Sequence, residues 1–543
     1  MTPVGLAAPR PVVAGSQGWR GIRRAAVAPW PAVIVAGGLA VMAGVAGWRG
    51  ADVPNHQFRI ELFRRAGFTV WSSAWYGGHH TPGYSVLLPS LGALLGPGLV
   101  GVLAALAAAA GFDHLVRRLP GVTGARAGWA SLIFAAGTVV NLAVGRLAFA
   151  LGLAFGLAAL VAGVERISSR AWLLAAAALS SATALASPVA GCFLALVWVA
   201  GAVVARSGRW AGLAACALTP VMAVALVFPE GGRFPFRAGA LAWVVVACGV
   251  AVVLLPREWP AVRVGAALYA AAALVTFAVA NPVGANITRL GMFVAAPLVV
   301  AGAKWPRAAL AVVVSLLLWW QWSPAIDAVA RAGRDPSTQA SYYAPLLAFL
   351  ADAGGPAGRV EIPFTQRHYE AAFVAPSVPL ARGWERQLDM KVNSLFYEPG
   401  QLNAETYRAW LLDTGVRHVA LADVALDPSA HAEAALIRAG QPYLRLAWRS
   451  LHWTVWEVVG SPGLVSGPAE VVGHGQSADT VTLQAHAAGS VLVRVRDSAF
   501  WSVDGPACIA TGGTDHWVRL EVSAPGRLML YPVLLGERAR CPG

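Results

Sequence analysis

Charge is what this sequence has least of. Asp, Glu, Lys and Arg make up 13% of its 543 residues, about half the ~25% of a soluble globular domain. Lysine is nearly absent: Lys304 and Lys391 are the only two, so the net charge of +14 is carried by arginine. Such a bias accompanies a GC-rich coding sequence and the basic inner loops of membrane proteins, and it does not require a nucleic-acid partner. Cysteine is sparse, five in all, with no Cys-x-x-Cys pair and no His/Cys spacing suited to zinc. There is no P-loop, no Rossmann glycine fingerprint between a strand and a helix, and no GxSxG elbow. Their absence argues against an ATP-driven pump, a soluble nucleotide-sugar enzyme and a serine hydrolase. Internal repeats are missing too, and no small-x-small site closes the first apolar run as a cleaved signal peptide would.

What fills the chain instead is apolar. Hydrophobic residues reach 57%, with a mean hydropathy of +0.59. Apolar stretches recur at about 27–48, 84–112, 128–144, 146–164, 171–186, 189–205, 210–228, 239–255, 264–280, 290–303 and 308–322. Runs of this length predict a polytopic α-helical membrane domain of about eleven spans over 27–322, with 84–112 either one broken helix or a re-entrant piece plus a span. Residues 1–26 read as a basic cytoplasmic tail. With that tail inside, the inner segments carry most of the arginine (Arg117, Arg118, Arg126, Arg206, Arg209, Arg257, Arg263 among others). The short outer loops hold only Arg146, Arg233, Arg237 and Arg289. The bias predicts an extracytoplasmic loop 49–83 and, for an odd number of spans, extracytoplasmic C-terminal domains.

After position 322 the composition becomes that of a soluble protein. VEIPF (360–364), VRHVALAD (416–423) and LHWTVWEVV (451–459) read as strands. NAETYRAWLLDTG (403–415) reads as a helix with Asn403 as N-cap and Gly415 as its stop. These predict an α/β unit over 323–460. From 461 to 543, DTVTLQAH, SVLVRVR, WVRLEVS and RLMLYPV alternate between turns, which predicts a β-sandwich. Cys508 and Cys541 lie in this region and form a disulfide if it is exported.

Polar chemistry crowds the stretch just after the first span. Asp52, His56 and Arg59 fall at i, i+4 and i+7, one face of a helix that Pro54 and Asn55 would start. Two readings fit. Asp52 is a helix cap with Arg59, Arg64 and Arg65 on lipid phosphates, or Asp52 is a general base beside cations that hold a phosphate leaving group. In WSSAWYGGHHTPGYS (71–85), Trp75, Tyr76 and Tyr84 suit either sugar stacking or an interfacial aromatic belt. Gly77 and Gly78 permit a turn that aims His79 and His80 at one place. No third metal ligand accompanies them, so hydrogen bonding to phosphate or sugar is favoured; a divalent cation is left open. NPVGANITRL (281–290) breaks a span and leaves Arg289 at the outer surface, bound to a phosphate or carboxylate or snorkelling to headgroups. In RGWERQLD (382–389), Arg382, Trp384 and Glu385 either reach back over the membrane site or form a salt-bridged surface loop.

The pattern D-x-x-x-H-x-x-R … W-Y-G-G-H-H-x-x-G-Y-S, with NPVGANITRL and PLARGWERQLD further on, resembles an actinobacterial group of membrane proteins of the GT-C glycosyltransferase class. The likeness implies an inverting transferase that moves a sugar from a polyprenyl-phosphate donor to an envelope glycan, lipid or protein at the outer face of the plasma membrane. By that likeness Asp52 matches the first-loop acidic base. His56, Arg59, His79, His80 and Arg289 would hold donor phosphate or substrate, and Trp75, Tyr76, Tyr84, Arg382, Trp384 and Glu385 would contact acceptor or sugar. The class often carries two acids in this loop; here the other is Glu61, on a different helix face. The alternatives are a lipid or glycan transporter and a non-catalytic glycan-binding scaffold. The first has almost no ionisable group at mid-membrane depth to couple it, and the second leaves the polar crowding of the first loop unexplained.

Overall fold

The computed structural model describes residues 29–47, 50–166, 169–332, 335–354, 357–474, 480–510, 516–534 and 539–542. The basic tail expected over 1–26 lies outside them.

The N-terminal part is a helical bundle. Helix α1 spans Trp30–Val45 and α2 Val53–Ala66; strands β1 (Trp71–Ser72) and β2 (His79–His80) pair as a small antiparallel hairpin. Then follow α3 (Leu87–Leu95), α4 (Pro97–Val116), α5 (Gly124–Val144), α6 (Leu147–Arg166), α7 (Arg170–Ala186) and α8 (Pro188–Ala205). The bundle closes with α9 (Gly208–Val227), α10 (Ala238–Leu254), α11 (Pro260–Ala278), α12 (Thr288–Gly302) and α13 (Arg307–Ala332). Among the described residues eight helices are long and apolar enough to cross a membrane, and α1, α7 and α10 are shorter apolar helices. Proline opens many of them: α1, α2, α4, α8 and α11 carry one in the first turn, where its missing N–H costs nothing. The stretch 84–112 is broken at Gly96, so α3 is a short piece lying against α2 before the long α4 begins. Helix α13 runs on to Ala332, beyond position 322, because its face with Ala325 and Ala328 stays buried after the composition has turned polar.

Contacts define the two ends of the bundle. At one end the Asp52 N–H donates to the Val144 carbonyl (3.2 Å), Val86 N–H to Leu185 (2.8 Å) and Phe234 N–H to Asn281 (3.0 Å). At the other, Trp259 Nε1 donates to the Pro120 carbonyl (2.8 Å) and Arg126 Nη1 to that of Ala303 (2.8 Å).

Both C-terminal domains sit on the first end. The α/β domain contains α14 (Ala340–Asp352), β3 (Arg359–Glu361), α15 (Glu370–Phe373), α16 (Arg386–Val392), α17 (Ala404–Asp413), β4 (Val416–Ala422), α18 (His431–Arg438), β5 (Leu444–Arg449) and β6 (Trp453–Val458). Its sheet has the order β3-β4-β6-β5, with only β3 and β4 parallel. The Asn403 side chain accepts from the Glu405 and Thr406 N–H groups and so starts α17. The sandwich is built from β7 (Val465–Ser466), β8 (Ala469–His474), β9 (Val481–Ala485), β10 (Gly489–Arg496), β11 (Trp501–Asp504), β12 (Ala507–Ile509), β13 (Trp517–Val522) and β14 (Gly526–Pro532). Two four-stranded sheets, β12-β13-β10-β7 and β11-β14-β9-β8, enclose Val491, Val493, Leu483, Leu520 and Leu528. Cys508 and Cys541 are joined, with their Cα atoms 4.9 Å apart.

Candidate active site

Helix α2 begins where α5 ends, and that junction builds the site. Gly145 takes φ +88°, and a Cβ there would lie 2.6 Å from Val53 Cγ2. Only glycine lets the α5–α6 turn come so close to the start of α2. The turn therefore delivers Arg146 to Asp52. Asp52 occupies the N-cap position of α2, yet its side chain accepts no capping hydrogen bond; the cap reading does not describe it.

The Asp52 carboxylate faces two guanidinium groups. Its Oδ2 is 3.9 Å from Arg146 Nε and 3.8 Å from an Arg289 nitrogen. These are charge contacts longer than hydrogen bonds. The side chains of Asp52, Arg146 and Arg289 retain 16%, 17% and 14% exposure, so solvent reaches them. Arg146 Nε and Nη1 and Arg289 Nε are buried donors with no hydrogen-bond partner among the described residues. Unmet guanidinium donors of this kind suit the oxygens of an anion. Burial, with Arg289 next, lowers the Arg146 pKa to about 10, which leaves it positive at neutral pH. Arg289 lies over the Phe149 ring at 5.5 Å.

Behind this opening most polar side chains of the first loop are buried. His56 is buried, 5.5 Å from the Tyr84 ring. Burial and then Arg59 lower its pKa to about 3, so it is neutral. Arg59 is buried in a salt bridge with Glu385; it also donates to Asn55 Oδ1 (2.9 Å) and to the Thr81 carbonyl, and it lies 5.4 Å from the Tyr84 ring centre. Every polar face of Arg59 is used by protein, so Arg59 braces the site and Arg146 replaces it beside Asp52. Tyr84 and Trp384 are half-buried and meet edge to face at 6.1 Å. The Trp384 indole N–H donates to the Ala51 carbonyl at 2.7 Å.

Other residues expected at the substrate are interior. Trp75 is fully buried between Phe58 and His79, at ring distances of 4.2 and 5.1 Å. Tyr76 is buried and donates its hydroxyl to the Glu385 carbonyl (3.0 Å). Neither ring has a face left for a sugar: Phe58 and His79 take those of Trp75, and the α/β domain packs against Tyr76. His79 is buried and held neutral by burial and by Arg59. His80 turns to Glu230, 2.7 Å from its carboxylate. Arg382 is fully enclosed by Asp389 (2.7 Å), Glu433 (3.1 Å) and the Phe364 and Phe396 rings (4.1 and 3.9 Å). It is a core cation of the α/β domain rather than an acceptor contact. Glu385 reaches the first loop through Arg59, not through the open face. Among the described residues no group of three or more His, Cys, Asp or Glu side chains could hold a metal ion. Asp52, Arg289, Tyr84 and Trp384 thus converge, while Arg146 had to be found from the fold. Its sequence signal was slight: an arginine following glycine in a short outer turn.

No protein-family model matches the chain, and no curated protein matches its sequence. Among solved structures, the chain is similar to a cryo-EM structure of the arabinofuranosyltransferase AftD from mycobacteria, with 18% identity and a TM-score of 0.46. The similarity covers 79% of this chain and 41% of that one, so the chain spans less than half the length of that protein.

Proposed function

We propose that the chain is a membrane glycosyltransferase that moves a sugar from a polyprenyl-phosphate carrier to a hydroxyl of a cell-envelope acceptor. In this reading all eleven apolar helices cross the plasma membrane, and the end bearing Asp52 and the C-terminal domains faces outward. The observation that carries it is the Asp52 carboxylate set against two guanidiniums with unmet donors, open to solvent at one end of an apolar bundle.

The local charge fits the substrate. Arg59 is neutralised by Glu385, leaving one carboxylate and two cations. Their net single positive charge matches one phosphodiester anion. Asp52 takes the proton of the acceptor hydroxyl as that oxygen attacks the anomeric carbon. The carbon–oxygen bond to phosphate breaks on the opposite face, and the phosphate leaves with the electron pair. Arg146 and Arg289 meet the charge that grows on it. Attack opposite the leaving group inverts the anomeric centre. Transport fits less well, since among the described residues the ion pairs between bundle helices cluster at its two ends.

The test is sugar transfer by purified protein in lipid nanodiscs, across a panel of polyprenyl-phosphate sugars and envelope acceptors. Asp52→Asn with a native size-exclusion profile is expected to lose about 10²–10⁴-fold in kcat. Equal transfer by both proteins would remove Asp52 from the chemistry.

A further inference from the structure

One peptide unit at the site is gripped from two domains. The Asp52 N–H donates to the Val144 carbonyl at the end of α5 (3.2 Å). The Ala51 carbonyl accepts from Trp384 Nε1 (2.7 Å), 333 residues further along the chain. These two groups belong to the same planar peptide. Holding both fixes that plane and the N–Cα bond of Asp52; with φ at −83° at the start of α2, the direction of the Cα–Cβ bond follows.

The carboxylate has little else to hold it. It makes no capping bond, and its two cations stand 3.8 and 3.9 Å away. The placement of its backbone therefore sets which positions the carboxylate can reach. We infer that Trp384 is a positioning residue for Asp52: the α/β domain supplies the second jaw of a clamp that aims the carboxylate at the gap between Arg146 and Arg289. The inference rests on the reading of Asp52 as the base.

Trp384 is itself rigidly placed. Leu380 N–H donates to the Ala74 carbonyl (2.8 Å), Tyr76 donates to the Glu385 carbonyl (3.0 Å), and the Glu385 carboxylate is paired with buried Arg59. A Cβ on Gly383 would sit 2.6 Å from Trp75 Cβ, so the segment has no slack. Indole carries a single N–H, so phenylalanine removes the donor, together with part of the bicycle, while keeping an aromatic ring in place.

The experiment uses the full chain in nanodiscs with Trp384→Phe, Asp52→Asn and the double variant, each checked by size exclusion. It reads kcat, donor KM and amide hydrogen exchange over residues 50–58. Trp384→Phe is expected to lower kcat about 10–100-fold, keep donor KM within about twofold because Arg146 and Arg289 are untouched, and speed exchange over 50–58. In the Asp52→Asn background the same change is expected to cost nothing more, and Trp384→His, which restores a ring N–H, to recover part of kcat. A purely structural role would lower transfer by the same factor in both backgrounds, and that result overturns the inference. Unchanged exchange, or an unchanged kcat in Trp384→Phe while Asp52→Asn is inactive, overturns positioning but spares the base reading. Wild-type transfer by Asp52→Asn removes both.

Discussion

Arg146 holds its place by contact rather than by any sequence pattern. It stands beside Asp52 with two buried donors unmet, which is the state expected of a group waiting for an anion. Arg146→Gln should raise donor KM about 10–100-fold, the equivalent of one charge-assisted hydrogen bond. Arg146→Lys should recover little of that loss, since an ammonium cannot reproduce the guanidinium fork. Donor titrations at fixed acceptor would read both. A second residue-scale expectation concerns Glu361, buried against Glu433 in the α/β core. Burial first, and then the Glu433 charge, push its carboxyl well above the ordinary 4.5. The folded state keeps a proton that the unfolded chain gives up near that value. This contribution to stability is complete below about pH 4.5 and is lost as pH rises toward the raised folded value. Glu361→Gln cannot lose a proton, so its melting curve should depend less on pH, and Tm at pH 8 should rise by about 2–4 °C.

At the scale of elements, the sequence was most legible where local pattern and local cause coincide. The strand VRHVALAD and the helix behind Asn403 appear as β4 and α17, because alternation and a capping side chain act over a few residues. Strand β5 escaped notice: it is an edge strand, exposed along most of its length, with its register shifting between Leu446 and Trp448, so it shows no clean alternation. Strands β7, β11 and β12 have two, four and three residues, too few for a period to show. The aromatic residues of the first loop misled for a different reason. Trp75 and Tyr76 are covered by the 380–385 segment, and no local pattern reports a partner about 300 residues away. The α5–α6 turn gives the element-scale prediction. Gly145→Ala forces φ +88° on a residue with a Cβ and drives that atom into Val53, at about 1–3 kcal/mol. Because the turn carries Arg146 and abuts α2, donor KM should rise and kcat should fall together, while the size-exclusion profile stays native.

For the whole molecule, the question is why a charged pair is buried between domains at all. Arg59 and Glu385 are 4% and 7% exposed, and they join α2 to a loop 326 residues away. Removing one partner strands a buried charge, so Glu385→Ala should cost about 3–5 kcal/mol in thermal or denaturant unfolding. Replacing both, as Arg59→Met with Glu385→Leu, should return most of that stability, since a buried pair adds little over well-packed apolar groups. Transfer activity should not return with it. Arg59 also holds Asn55 and the Thr81 carbonyl, and Glu385 follows directly on Trp384, so the pair sets the distance between α2 and the loop that reaches Ala51. A double variant that is stable and slow would show that the ion pair is kept for the geometry it imposes on Asp52. A double variant that is both stable and fully active would reduce it to one contact among many, and the two domains would then need some other reason to meet at this loop.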